Sequence, residues 1–263
     1  MIWRIPVILL LLATSACGVD KEVTSIRFVA QLHGQPVDCV AISDTVALSD
    51  LRFYISDIKV IRPDGSSVPV GLLENGRWQG NGIALLDFED GSGACANGTV
   101  DMNSGVAMEV EPGDIGALQF TVGVPFVLNH ADPLQAEAPL NDSSMHWHWR
   151  SGYKFMRAAL ASESDSVYVH LGSAGCNGTV GNITGCDNPN RFTVTLTNWQ
   201  PERRIVVDLG PLELATDLDD GEPQSCSSGP AEESCTRLLS IFGIGHTATT
   251  TSAAQQLFHL EPQ

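Results

Sequence analysis

Basic residues are scarce in this sequence. Its 263 residues include 14 Lys and Arg against 31 Asp and Glu, which gives a formal net charge of -17 at pH 7. A chain of this charge is repelled by phosphate backbones and by anionic membrane surfaces. The composition therefore argues against nucleic-acid binding.

Signatures of several common enzyme classes are also absent. The sequence contains no Gly-x-Ser-x-Gly, no His-Glu-x-x-His, no glycine-rich phosphate loop and no Cys-x-x-Cys-His motif. These motifs mark hydrolases, zinc proteases, nucleotide enzymes and c-type haem attachment. We therefore expect a protein that is not an enzyme, and any haem would have to belong to a partner.

Apolar runs long enough to span a bilayer are missing. Arg4 precedes an apolar run over residues 5–13, which is too short for a transmembrane helix and is typical of a signal peptide over residues 1–16. The run ends in "TSACG", which resembles a lipobox, so we expect lipidation at Cys17; an ordinary secretory signal is the alternative. Either signal places the mature chain in the periplasm or at the cell surface. Gly18 after Cys17, instead of Asp, favours the outer membrane.

The rest of the chain alternates between short β-type runs and turn signals. "SIRFVAQL" and "RFTVTLTNW" show the period of a half-buried strand, while "RPDGS" and "DNPN" supply turn residues. Because long amphipathic helical patterns are scarce, we predict an all-β fold: an antiparallel β-sandwich with Greek-key-like connections, long loops and disulfides. Residues 17–25 are expected to form a tether and residues 26–263 one domain. The predicted strands are 24–32, 51–61, 67–72, 83–88, 117–124, 167–171, 191–196 and 204–209, with short helices near 212–218 and 236–242.

The cysteine count predicts disulfides. Seven cysteines become six if Cys17 carries a lipid, and six thiols in an oxidising compartment favour three disulfides over a metal-binding or catalytic thiolate. Fifteen connectivities are formally open. Two pairs bracket short loops rich in Gly, Asn, Pro and Ser, which leaves a third pair, so the expected disulfides are Cys176–Cys186, Cys226–Cys235 and Cys39–Cys95.

One stretch concentrates rare residues. "MHWHWRSGYKF", residues 145–155, holds two of the five tryptophans and two of the seven histidines in four consecutive positions. In an extended strand, Trp147 and Trp149 would share one face, and His146 and His148 the other. The histidine face suggests a His-x-His chelate, and the tryptophan face would cover a metal held by other histidines. The alternative is a core strand whose histidines face water.

Two further histidines end apolar segments. His130 closes "GVPFVLNH" and His170 closes "VYVH", where a histidine is often only a polar end to a strand. Neutral imidazoles near an indole face suit a soft or borderline cation, and copper fits this ligand set better than calcium or magnesium, which prefer oxygen. Met145 and Met156 would add thioether contacts to Cu(I), although methionine beside tryptophan is more often packing.

The acidic stretch "DLDDGE", residues 217–222, is the calcium candidate because four carboxylates crowd one turn. It lacks the full spacing of an EF-hand loop. We favour a solvated acidic turn.

Seven segments, taken in order, resemble one family of proteins. In this sequence they are "DLRFYISDIKVI", "GIALLDFEDGSGACANGT", "LQFTVGVPFVLNHADP", "APLNDSSMHWHWRSGYKF", "VHLGSAGC", "CDNPNRFTVTL" and "CSSGPAEESC". Together they are similar to the MbnP-like family of exported proteins, which is marked by a Trp-x-Trp motif and a four-cysteine motif. The resemblance runs from about residue 26 to the C-terminus and would make these motifs Trp147-His148-Trp149 and Cys176, Cys186, Cys226 and Cys235.

The resemblance implies copper binding outside the cytoplasm and a separately encoded di-haem partner, MbnH, related to bacterial cytochrome c peroxidases. It also implies that this partner oxidises a tryptophan, here Trp147 or Trp149, to kynurenine. An intact indole is a poor ligand because its nitrogen lone pair is committed to the ring, whereas kynurenine exposes an aniline nitrogen and a ketone oxygen. The expected ligand histidines are His130 and His170. The alternative chelate consists of His146 and His148.

We therefore expect an exported copper-binding lipoprotein that is the substrate of its partner's oxidation. The second hypothesis is a metal-free structural or interaction protein of the cell surface, with the Trp-x-Trp strand in its core. A third is a copper-dependent redox enzyme.

Overall fold

The computed structural model describes residues 20–40, 46–162, 166–215, 224–229, 233–245 and 254–262. The predicted signal peptide, the lipidation site Cys17 and the acidic turn at 217–222 lie outside the described residues. Among the residues that are described, no helix is long and apolar enough to cross a membrane.

Strands dominate the described chain, as the sequence pattern predicted. They are β1 Glu22–Leu32, β2 Gln35–Pro36, β3 Ala47–Ile61, β4 Ser67–Pro69, β5 Gly71–Leu72, β6 Gln79–Gly80, β7 Ile83–Asp87, β8 Gly105–Val110, β9 Ala117–Val122, β10 His146–His148, β11 Gly152–Ala161, β12 Ser166–Gly172, β13 Ala174–Thr179, β14 Asn182–Asn188, β15 Phe192–Thr197, β16 Ile205–Asp208, β17 Gln224–Cys226 and β18 Phe258–Leu260. The helical elements are a 3-10 turn at Gly93–Cys95, α1 Phe126–Asn129, α2 Gly210–Ala215 and α3 Glu233–Ile241.

Two large sheets carry most of these strands. The first has the order β18-β16-β1-β8-β5, with β2 paired to β1. The second follows the path β15-β9-β3-β11-β12-β17, with β10 on β11, β4 and β7 on β3, and β6 on β7. The hairpin of β13 and β14 forms a small sheet of its own. This arrangement confirms the predicted all-β class.

The sheets are mixed, which differs from the purely antiparallel expectation. β1 pairs with β16 in parallel, and β12 pairs with β17 in parallel, while the other pairs are antiparallel. Parallel pairing requires a long crossover between the strands, and the chain between β12 and β17 contains the β13–β14 hairpin, β15, β16 and α2. Local patterns do not reveal such distant partners.

All eight predicted strand regions contain strands. The sequence pattern did not predict the longer strands β8, β11, β13 and β14 or the short strands β2, β6, β17 and β18. β11 lies centrally in the second sheet, between β3 and β12. Its sequence, "GYKFMRAALA", is rich in alanine and does not alternate cleanly, because both faces of the strand are largely buried.

The main core is an aromatic cluster between the two large sheets. The ring of Phe258 in β18 lies 5.5 Å from the rings of both Phe53 and Phe120 and 6.5 Å from that of Phe28, all edge to face. These rings come from β3, β9 and β1, so the cluster joins the second sheet to the first. Edge-to-face pairs add to the stabilisation from burial.

A second core lies on the other face of β3 and β11. The rings of Tyr54 and Tyr153 meet edge to face at 6.0 Å. Their hydroxyl groups donate to the backbone oxygens of Pro139 and Leu140 at 3.2 and 2.7 Å. These bonds fix the segment before β10 onto the sheet, and this segment carries Met145 into the same core.

Three disulfides join the cysteine pairs favoured by the sequence spacing: Cys39–Cys95, Cys176–Cys186 and Cys226–Cys235. The Cys226–Cys235 bond connects β17 to α3 and is fully buried. The Cys176–Cys186 bond closes the separate β13–β14 hairpin.

Phe258 provides a test of whether the C-terminal strand completes the main core. We expect Phe258→Ala to lower the free energy of unfolding by about 3–5 kcal/mol, because it removes a ring buried against both sheets. Leu214→Ala, at a side chain that is 85% exposed, is the control and should change stability by less than about 0.5 kcal/mol. Urea denaturation measures both, and a loss at Phe258 no larger than the control's would contradict this role.

Candidate functional site

The Trp-x-Trp segment is a short strand followed by a turn. β10 covers only His146–His148, and a bulge interrupts its pairing with β11. Trp149 begins the turn that leads to Gly152, whose φ of 79° and close approach to Asn129 admit no Cβ. The expectation that both tryptophans share a face of one strand is therefore wrong, because the strand ends between them.

Trp147 lies in a cavity of about 350 Å³ together with His170 and Tyr168. Its indole meets the imidazole of His170 edge to face, with ring centroids 6.2 Å apart. The ring centroid of Tyr168 lies 5.0 Å from that of His170. A Cβ at Gly172 would lie 3.3 Å from Cε3 of Trp147, so the missing side chain provides the space for the indole.

A buried ion network lines the same cavity. Arg52 donates through Nε and Nη2 to the two carboxylate oxygens of Asp50, at 3.0 and 2.9 Å. Arg157 contacts the same carboxylate at 2.6 Å from Nη2 to Oδ2. The remaining Nη1 of Arg52 lies 2.8 Å from both Oε1 of Glu89 and Oγ of Ser144. Each buried charge thus has an opposite charge beside it, as burial requires.

Burial and these charges shift two groups in the cavity toward neutrality. Burial, followed by the positive charges of Arg157 and Lys154, lowers the pKa of His170 to about 4. Burial also raises the pKa of Glu89 to about 7, helped by the charge of Asp50 and opposed by the adjacent arginine. At pH 7 the imidazole of His170 is therefore neutral and can offer a nitrogen lone pair to a cation.

His130 lies apart from this cavity, at the β13–β14 hairpin. Its Nε2 is 3.6 Å from Sγ of Cys186 and 3.2 Å from Nδ2 of Asn129, and its ring packs edge to face on Phe126. Burial lowers the pKa of His130. His130, Cys176 and Cys186 form the one group of three potential metal-ligand residues found among the described residues, with ligand atoms within 4.8 Å of one another.

The leading pair of ligand histidines from the sequence does not meet. Among the described contacts, no hydrogen bond or ring contact joins His130 to His170. One imidazole faces Trp147 and the other faces a disulfide. His130 follows α1 and His170 lies within β12, and the sequence pattern carries no information on the distance between those elements.

The alternative chelate lies at the surface end of β10. His146 packs edge to face on Tyr153 at 5.2 Å, while His148 is exposed and its ring lies 5.4 Å from that of Trp149. Burial, followed by repulsion from His148, lowers the pKa of His146. Trp149 is covered by the guanidinium of Arg150, 4.9 Å from the ring centroid. The two tryptophans of the motif therefore have different chemical surroundings.

The predicted thioether contacts have a structural role. Met145 and Met156 are both fully buried, in the second and the main core respectively. Both methionine side chains therefore pack in a hydrophobic core, which is the alternative given above to a contact with copper.

No sequence motif marked the charged residues of the cavity or Tyr168. Tyr168 stands two residues before His170 in a predicted strand, so the period of two would have placed it on the same face. The same spacing relates Asp50 to Arg52. Arg157 gave no such signal, because β11 was not predicted.

These features define a class of protein: a mixed β-sandwich with three disulfides, in which the first tryptophan of a Trp-x-Trp segment lies against a histidine of a sheet strand. The family model of MbnP matches residues 21–228. The chain belongs to the MbnP family.

The fold agrees with this assignment. Among solved structures, MbnP from Methylosinus trichosporium matches with a TM-score of 0.78 and 23% identity, covering 92% of this chain and 99% of that chain. At this identity the likeness establishes the fold. None of the curated proteins compared with the sequence matches it.

Glu89 should give stability a characteristic pH dependence. A glutamate with an ordinary pKa near 4.5 loses its proton in the unfolded chain, while the folded chain keeps the proton up to about pH 7. The folded state then binds more protons, so this group lowers the free energy of unfolding as pH rises from about 4.5 to about 7.

We expect Glu89→Gln to gain about 1–3 kcal/mol of unfolding free energy relative to the wild type across this range. Urea denaturation at several pH values measures the difference, and the exposed Glu202→Gln is the control. His170 has the opposite effect, because its contribution to the free energy of unfolding is lost as pH falls from about 6.5 to about 4. Since the wild type and Glu89→Gln both contain His170, this effect cancels in their difference. A difference between Glu89→Gln and the wild type that does not change with pH would contradict the assignment.

Proposed function

We propose that this chain is an exported, non-enzymatic copper-binding protein whose Trp147 is converted to kynurenine by a separate di-haem protein of the MbnH type. Copper is held by His170 and the modified Trp147. The contact of the Trp147 indole with the neutral imidazole of His170, within an open cavity, is the observation that carries this proposal.

The ligand chemistry follows from this contact. The neutral imidazole offers one nitrogen, whereas the intact indole offers no available lone pair. Oxidation cleaves the C2–C3 bond of the indole. Two water molecules supply the two oxygen atoms that are added, four electrons pass over successive cycles to the oxidised haem of the partner, and four protons pass to solvent. Hydrolysis of the resulting N-formyl group then releases C2 as formate. The new aniline nitrogen and ketone oxygen then lie on the side chain that already contacts His170.

Trp147 is the better substrate of the two tryptophans on electrostatic grounds. Removing an electron from an indole leaves a positive charge on the ring. Arg150 places a cation 4.9 Å from the ring centroid of Trp149 and opposes that charge. Trp147 instead contacts an uncharged imidazole, and among the described residues no guanidinium lies over its ring.

Copper binding should depend on His170. In protein purified with its partner from the native host, we expect His170→Ala to weaken copper binding at least about tenfold, because a ligand is lost. His259→Ala, at an exposed histidine in β18, is the control and should bind like the wild type. Equilibrium dialysis with elemental analysis measures the bound metal.

Other outcomes of the dialysis assign other functions. Wild-type copper uptake that persists in His170→Ala but is lost in the double variant His146→Ala/His148→Ala would move the site to the alternative chelate. No copper uptake by the wild type would favour the metal-free structural protein.

The modification should be visible by mass. Peptide mapping of the native protein is expected to find a gain of about 4 Da on Trp147, the net change from indole to kynurenine, and an unmodified Trp149. Protein from cells that lack the partner is the control and should carry two intact tryptophans. Modification of Trp149 alone, or of neither residue while the partner is present, would exclude the proposed site.

The same peptide mapping also identifies the N-terminal residue and any group attached to it. We propose that the mature chain begins at a lipidated Cys17 and is tethered to the outer membrane, and its N-terminal peptide then carries a diacylglycerol group. An unmodified N-terminus after signal cleavage would indicate an ordinary secreted protein.

A further inference from the structure

The Cys176–Cys186 disulfide is the most accessible of the three. The four cysteines of the other two disulfides are at most 1% exposed, whereas Cys176 is 7% exposed and Cys186 is half-buried. A largely apolar cavity of about 270 Å³, lined by Val124, Phe126 and Cys186 among others, leads to the bond. A reductant would therefore reach this disulfide first.

Opening this bond would leave the sandwich intact. Cys176 and Cys186 are directly opposite each other in the ladder of β13 and β14, with Cα atoms 3.8 Å apart. This hairpin is a separate sheet and pairs with no strand of the two large ones among the described residues. The backbone ladder would hold the two thiols side by side after reduction.

An imidazole already faces the sulfurs. Nε2 of His130 lies 3.6 Å from Sγ of Cys186, and all three ligand atoms fall within 4.8 Å of one another. The amide nitrogen of Asn129 lies 3.2 Å from the same Nε2 and donates to it, which sets the tautomer of His130 with the lone pair at the nitrogen nearest the sulfurs. Cu(I) at this nitrogen would take the place of the hydrogen bond from Asn129. Asn129 is itself fixed, because its Oδ1 accepts from the backbone nitrogen of Tyr153 at 2.8 Å.

We propose that reduction of the Cys176–Cys186 disulfide creates a metal site for Cu(I), with the thiolates of Cys176 and Cys186 and Nε2 of His130 as its three ligands. This site is distinct from the one proposed at His170. In the oxidised protein the disulfide masks it.

The chemistry balances with a dithiol as reductant. The dithiol transfers two electrons and two protons to the disulfide, so the protein S–S bond breaks into two thiols while the dithiol closes its own disulfide. Cu(I) then replaces both thiol protons, which pass to solvent.

The ligand set favours Cu(I) over Zn(II). Two thiolates and one imidazole are soft and borderline donors. Structural zinc usually requires four protein ligands, and the described residues supply no fourth histidine, cysteine or carboxylate to this group.

The test uses the full-length folded protein, treated anaerobically with dithiothreitol and titrated with Cu(I) against a chromophoric chelator. Alkylation followed by peptide mapping identifies which cysteines were opened. We expect Cys176 and Cys186 to be alkylated first, and the reduced protein to bind one equivalent of Cu(I) more than the oxidised protein. A thiolate-to-copper absorption band should accompany this equivalent.

Variants distinguish the proposed Cys176–Cys186–His130 site from the copper site proposed at His170. Cys176→Ser/Cys186→Ser should abolish the added equivalent, and His130→Ala should weaken it at least about tenfold. His170→Ala is the matched control and should retain it, so a failure of the His170 site leaves this proposal intact. His130→Ala preserves all three disulfides and keeps the test valid if the double serine variant does not fold.

Several results would overturn the proposal. They are prior alkylation of Cys226 or Cys235, no added equivalent on reduction, an added equivalent that survives in Cys176→Ser/Cys186→Ser, or unchanged affinity in His130→Ala. Zn(II) uptake as tight as that of Cu(I) would overturn the metal preference.

Discussion

The site depends on the carboxylate of Asp50, which is buried and compensated by two arginines. Arg52 binds both of its oxygens from the same strand, and Arg157 reaches it from β11. Arg52 also contacts Glu89, after β7, and Ser144, just before the Trp-x-Trp segment. One network therefore joins four parts of the chain around the cavity. Removing the carboxylate of Asp50 would take from both arginines the counter-charge that they share, which is strongly unfavourable.

The strand that carries His170 is held on both edges. β11 pairs with one edge and β17 with the other. Ser228, after β17, donates from Oγ to the backbone oxygen of His170 and accepts from the backbone nitrogen of Gly172, both at 2.7 Å. The buried Cys226–Cys235 bond ties β17 to α3. The backbone of His170 is thus rigid while its imidazole lines an open cavity.

The family's cysteine motif divides into two disulfides with different surroundings. Cys226–Cys235 belongs to the main core and supports the strand beside His170. Cys176–Cys186 closes a peripheral hairpin and lies against His130. The same division holds for the tryptophans, because Trp147 contacts a neutral imidazole and Trp149 lies under a guanidinium. The two disulfides of the cysteine motif, and the two tryptophans of the Trp-x-Trp motif, therefore differ in chemistry because their neighbouring side chains differ.

Local patterns by themselves determined the all-β class, eight strand regions and the cysteine pairs, because strand period, turn residues and short loops are encoded in adjacent residues. They also singled out Trp147, Trp149 and the histidines. Only the tertiary structure decided that Trp147 meets His170, that His130 meets a disulfide, and that Arg157 joins Asp50. The contact of Trp147 with His170 and that of Arg157 with Asp50 depend on β11, whose buried faces hide its period. The contact of His130 depends on where a separate hairpin lies. Such contacts are settled by packing over the whole chain.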